Sequence, residues 1–194
     1  MWPGRRDARK SERAEGPPRL PDGLHVSTRR GESVLAAAQD DASGQWLALT
    51  TYRVVVLAAA GEVGLERPWH EVATGTWEPE SSTLSLSWVG SERAVQWVLR
   101  RRTGPGRVPQ VFRERVSASV VQVREVSMGS KRTARVSVRS VLDTRELVDQ
   151  VILGRGRSAM DAELAAEVAR VRAEVRASVG LPPTSAGGSD DGDS

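Results

Sequence analysis

The chain has 194 residues, with 28 basic and 25 acidic side chains and a net charge of +3, a length that holds one ordinary domain or a small domain with an appendage. It contains no cysteine, which removes structural disulfides, thiolate metal sites and thiol nucleophiles and fits a reducing compartment. No apolar run reaches the roughly 18–20 residues that cross a bilayer, and residues 1–19 carry charges without the apolar centre of a secretory signal, so cytoplasmic residence is expected.

Residues 1–30 mix Arg, Glu, Gly and Pro, and are punctuated by Gly16-Pro17-Pro18 and Pro21-Asp22-Gly23. They read as a disordered arm, with order confined to the neighbourhood of Leu24 to Val26. From residue 31 the apolar residues concentrate. Strands are expected near Val34 to Ala38, Trp46 to Thr50, Arg53 to Ala58, Val63 to Pro68, Glu71 to Glu78, Thr83 to Val89 and Val95 to Arg100. In the last two, Leu84, Leu86 and Trp88 alternate with serines, and Val95, Trp97 and Leu99 with Gln96 and Val98; period two places each set on one face of a sheet. Asp40-Asp41-Ala42-Ser43-Gly44 suits a hairpin turn, because Asp and Gly accept turn backbone angles.

After a loop, Pro109 suits a first helical turn. Phe112, Val116, Val120 and Val123 then fall on one helical face. Val116 to Val126 is also rich in β-branched residues and alternates with Ser117 and Ser119, so a strand stays open there. Beyond it, Arg135 to Val141 alternates through Val136 and Val138, and Leu147 to Leu153 is a second apolar run. The last helix has Ser158 as N-cap, Asp161 in its first turn, a stripe of Leu164, Val168, Val171, Val175 and Val179, and Gly180 with Pro182 as its stop. Pro182 to Ser194 is a Gly, Ser and Asp tail. Two strands and a helix are too small to fold alone and are expected to pack on the central unit.

Short antiparallel strands followed by a helix across the open end resemble pleckstrin-homology-like (PH-like) domains, in particular the bacterial GRAM-like form. The residues that carry the resemblance are Trp46, the segment Trp69-His70-Glu71-Val72, Trp77, Leu84 and Leu86. The chain is also similar to small actinobacterial proteins in which such a domain bears a C-terminal extension. The resemblance implies a mainly β, α+β fold: an antiparallel barrel over 31–128 closed by a helix, with a β-β-α extension over 131–181. The closing helix has Phe112 and no tryptophan, and the first hairpin carries Asp40-Asp41 where phosphoinositide binders carry basic residues, so phosphoinositide binding is not carried over.

Arg100 to Arg157 holds 14 basic against five acidic residues, whereas Ser158 to Ser194 holds three against seven, a basic stretch followed by an acidic one. Arg100, Arg101 and Arg102, with Arg107, Arg113 and Arg115 near them, form the best candidate anion site, for nucleic acid or an acidic membrane surface. No aromatic residues interleave with them, so base stacking is unsupported. Gly104-Pro105-Gly106-Arg107 and Gly154-Arg155-Gly156-Arg157 lack the pattern of a phosphate-binding loop. The tryptophans are expected to fill the core, with one or two, Trp69 among the candidates, left as interface anchors. The two histidines, His25 and His70, lie 45 positions apart; no zinc spacing exists, and His70 reads as a half-buried structural residue. No paired carboxylates, nucleophile elbow or metal cluster is legible. The expectation is a non-catalytic binding module without a cofactor, for a protein partner, with an arginine-mediated anion binder as the alternative.

Overall fold

The computed structural model describes residues 20–91, 93–129, 132–154 and 161–183, and every structural statement below concerns these. Ten strands form three antiparallel sheets, with two α-helices. The first sheet is a meander of β1 (Val34–Gln39), β2 (Trp46–Thr50), β3 (Arg53–Leu57) and β4 (Val63–Pro68). Pro68 has no N–H to continue a ladder, and a single 3-10 turn, Trp69–Glu71, drives the Trp69 ring into the interior. The second meander follows: β5 (Val72–Glu78), β6 (Thr83–Trp88) and β7 (Ala94–Val98).

The strand bounds expected from alternation recur almost unchanged. The ladders do not run continuously round a barrel, however. The two meanders face each other, and they are tied where Asp41 N–H donates to Val98 O at 2.7 Å and Val98 N–H to Asp40 Oδ1 at 2.8 Å. Between them lies the main core, which includes Leu47, Leu49, Trp69, Leu84, Trp88 and Trp97. Every residue of β2 and β3 is buried. Such two-sided burial needs a cover on the outer face, and Leu20, Leu24 and Val26 supply it against Trp46, Ala48, Val55 and Leu57. Order near Leu24 to Val26 is as expected, and Leu20 joins it, while residues 21–23, 25 and 27–30 are exposed; residues 1–19 lie outside the described residues.

Helix α1 (Val108–Ser119) enters with Pro109 in its first turn and buries Val108, Val111 and Phe112. The helical reading through Val123 is corrected: α1 stops at Ser119, where the Ser119 hydroxyl donates to Val116 O at 2.7 Å. The β-branched run that follows becomes β8 (Val120–Ser127). This strand pairs with β9 (Thr133–Ser140), which pairs with β10 (Leu147–Leu153), so the last sheet has three strands rather than the expected two.

Helix α2 (Ala162–Ser178) covers one face of that sheet, setting Leu164, Val168, Val171 and Val175 against Val126, Ala134, Val136 and Val138. Its N-cap is Asp161, whose carboxylate accepts from Leu164 N–H at 3.1 Å. The expected cap, Ser158, and the Gly-Arg loop beyond Gly154 lie outside the described residues, as does the tail from residue 184. The sheet docks on the rest of the molecule through its other face, and Leu142, in the β9–β10 turn, joins the main core. None of the helices is long and apolar enough to cross a membrane.

Candidate functional site

Strand β9 alternates through Ala134, Val136 and Val138 toward α2, so Arg135, Ser137 and Arg139 point the other way. Normally that face would meet water. Here it meets the outer edge of β5, a terminal strand of its sheet whose outward carbonyls have no ladder partner. Side chains of the last sheet donate to carbonyls at the start of this edge and in the turn before it. Arg139 Nη2 donates to Val72 O, Arg135 Nη1 to Ala73 O at 3.3 Å, and Gln150 Nε2 to His70 O at 2.8 Å. Arg29, from the covering segment, adds an ion pair to Asp143 at 2.7 Å.

These contacts hold the two sheets together without closing the space between them. A cavity of about 630 Å³ remains, bounded by β5, α1 and the cavity face of β8, β9 and β10, within the usual size for small-molecule sites. Its basic end has Arg135, Ser137 and Arg139, with Gln150 beside them; its apolar wall includes Trp77, Phe112, Val116, Val123 and Ile152; Arg113 stands on the α1 side.

Arg139 is the unusual member. It is only 6% exposed, it donates to one carbonyl, Val72 O, and among the described residues no carboxylate pairs with it. A guanidinium has five N–H donors, and burying one without a counter-ion is unfavourable. Its pKa is accordingly pulled down, first by desolvation and then by repulsion from Arg135. Arg135 differs, because Glu125 Oε1 pairs with it at 2.9 Å. The cavity therefore holds one buried positive charge that the protein leaves uncompensated, beside one that it neutralises.

The sequence-based candidates divide. Arg113 joins this cavity, whereas Arg100, Arg101, Arg102, Arg107 and Arg115 do not line it. Arg113 and Arg115 stand about 200° apart round α1, which corrects the expectation of one cluster with the loop arginines. The guanidinium Nε of Arg115 is buried and unpaired. Arg100, Arg101 and Arg102 are exposed, but their backbone N–H groups already hold an anion: the Asp41 carboxylate accepts from all three at 2.9–3.1 Å. Desolvation opposes the Asp41 charge, yet the three N–H groups win and hold its carboxyl below the usual range.

Trp69 is corrected as well. It is wholly buried, its Nε1–H donates to Thr50 O at 3.0 Å, and its ring lies 6.3 Å from that of Phe112, so it fills the core and presents nothing to a partner. His70 is half-buried; its Nδ1 is buried without a partner, and desolvation lowers its pKa, favouring a neutral ring. Its contact with the cavity region is the backbone carbonyl that Gln150 binds. Among the described residues no three His, Asp or Glu side chains are placed to hold a metal.

Arg135 and Arg139 are not among the sequence-based candidates, because the apolar half of β9 carries the alternation that marks the strand. The available signal was the other half: Arg135, Ser137 and Arg139 are the out-of-phase set of a strand flanked by apolar runs, as expected when a polar face is also covered.

No family model and no curated protein matches the chain. Among solved structures it is similar to a DUF1696 family protein with a pleckstrin-homology domain from Shewanella loihica PV-4, at 13% identity and a TM-score of 0.38, over 46% of this chain and 85% of that one. A likeness at that level assigns no ligand, partner or activity.

Proposed function

We propose that the chain is a non-catalytic, PH-like binding module in which the cavity between β5, α1 and the last sheet receives an acidic group. The order of a four-strand meander, a three-strand meander and a helix supports the PH-like reading. The observation that carries the function is Arg139, buried and without a carboxylate partner on the wall of a roomy cavity. A ligand anion supplies the missing counter-charge, through charge-assisted hydrogen bonds that strengthen in a partly dry site.

The test is titration of the full chain with 8-anilinonaphthalene-1-sulfonate, followed by fluorescence at low and high salt. The expected result is saturable binding that weakens with salt and falls about tenfold or more in Arg139→Gln. Equal affinity in the wild type and the folded variant overturns the reading. Arg100→Ala with Arg101→Ala and Arg102→Ala is expected to leave this binding unchanged.

A protein partner is the second reading. It draws on β8, an open sheet edge with Val121 46% exposed, suited to adding an extended peptide as a further strand. A nuclease-resistant partner recovered from the native host, insensitive to salt and lost on Val121→Lys, favours this reading.

A further inference from the structure

The cavity is asymmetric. At its basic end the charges of Arg135 and Glu125 offset each other at 2.9 Å, leaving Arg139 as a single deep positive charge. The hydroxyl of Ser137, itself buried, stands between the two arginines on β9. Away from them the lining turns apolar. Val120 and Val123 both line the cavity, yet 37% and 39% of their surface stays exposed. Uncovered apolar surface beside an uncompensated buried cation specifies a ligand with both characters.

From this the geometry points to an amphipathic monocarboxylate, an unbranched acyl chain ending in a carboxylate, as the ligand. The inference rests on the anion-binding reading above. The carboxylate lies against Arg139 and the Ser137 hydroxyl, since a planar carboxylate matches the guanidinium fork. One negative charge balances the buried end, where Arg139 is the unpaired cation; a dianion would bury a second charge there without its own partner. The stem runs along Phe112, Val116 and Val123 toward Ile152, removing from water the valine surface that β8 leaves open. Arg113, exposed on α1, also lines the cavity.

The experiment is displacement of 8-anilinonaphthalene-1-sulfonate from the full chain by n-alkanoates from hexanoate to dodecanoate, below their micellar concentrations, with n-decanol as the uncharged control. Affinity is expected to rise about three- to fourfold per methylene until the wall is filled, and decanoate to exceed decanol by about tenfold or more. Arg139→Gln removes the preference for acid over alcohol. Because Arg139 also bonds Val72 O, a second variant guards against misfolding: Val123→Asp, on an exposed strand position, is expected to weaken decanoate at least tenfold with the unfolding midpoint retained.

Displacement that ignores chain length, in a protein whose probe binding still needs Arg139, overturns the acyl-chain assignment and leaves the anion-binding reading standing. Decanol binding as tightly as decanoate overturns both. Unchanged decanoate affinity in folded Val123→Asp overturns the placement of the stem and with it the inference.

Discussion

The Phe112 ring occupies the place where a side chain at Gly75 would begin. A Cβ at position 75 would fall 2.2 Å from Phe112 Cζ and 2.8 Å from Leu86 Cδ2. Because α1 crosses β5 this closely, Phe112 serves both as core and as cavity wall. Gly75 has no positive φ, so its backbone tolerates alanine and the steric contact alone sets the outcome. In a strand, Gly→Ala would otherwise stabilise by about 0.5–1 kcal/mol. Gly75→Ala is instead expected to destabilise by about 1–3 kcal/mol, the usual range for overpacking, measured by chemical unfolding. A raised midpoint would show that the ring moves away freely.

Asp41 supports the loop that carries Arg100 to Arg102 by filling a nest of three backbone N–H groups. Asp41→Ala is expected to speed amide exchange at Arg100, Arg101 and Arg102 while amides in β2 and β3 keep their protection. Asp41→Asn should be intermediate, since an amide oxygen still accepts but carries no charge. Unchanged exchange in Asp41→Ala would mean that the loop is held by something other than this carboxylate.

The strands were legible because alternation survives wherever one face is dry and the other wet: Leu84, Leu86 and Trp88 against Ser85 and Ser87 are the clearest case. The helix-to-strand change at Ser119 was not. Phe112, Val116, Val120 and Val123 do line one cavity together, so the apolar continuity was real. A helix presents such a set by its 3.6 period and a strand by local twist and a bulge, here between Val120 and Gln122, and the pattern of apolar residues does not separate the two. The candidate site was less legible still. Only Arg113 was anticipated, since Arg135 and Arg139 acquire their meaning from β5, more than sixty positions away in the chain.

Helix α2 is pinned to β10 through Asp149, which accepts from both Arg172 and Arg176. Burial opposes the Asp149 charge, but the two guanidinium groups hold its carboxyl below the usual range. Asp149→Asn removes the charge and leaves two arginines facing a neutral amide. Arg172 is partly exposed, which limits the loss to about 1–2 kcal/mol. Hydrogen exchange should locate the effect in α2 and spare the β1–β4 sheet. Uniform loosening of both regions would contradict a local pin.

Glu32 provides the pH dependence. Its carboxylate accepts from Arg53 Nε at 2.8 Å, from the Thr50 hydroxyl at 2.6 Å and from Arg29 N–H at 2.8 Å. Desolvation pushes its pKa up, but these partners outweigh it, and the net shift is downward from the ordinary 4.5. On acidification the unfolded chain therefore takes up this proton first. The contribution of Glu32 is fully present above about pH 4.5 and is lost as the pH falls through the lower folded-state value. Glu32→Gln should lower stability at pH 7 by about 3 kcal/mol, toward the lower end for a broken buried pair, because Glu66 still pairs with Arg53. The gap between wild type and variant should shrink steadily below pH 4.5, where protonated Glu32 and Gln carry the same charge. A gap that stays constant from pH 7 to pH 3 would show that the ionised form of Glu32 does not hold this corner of the fold together.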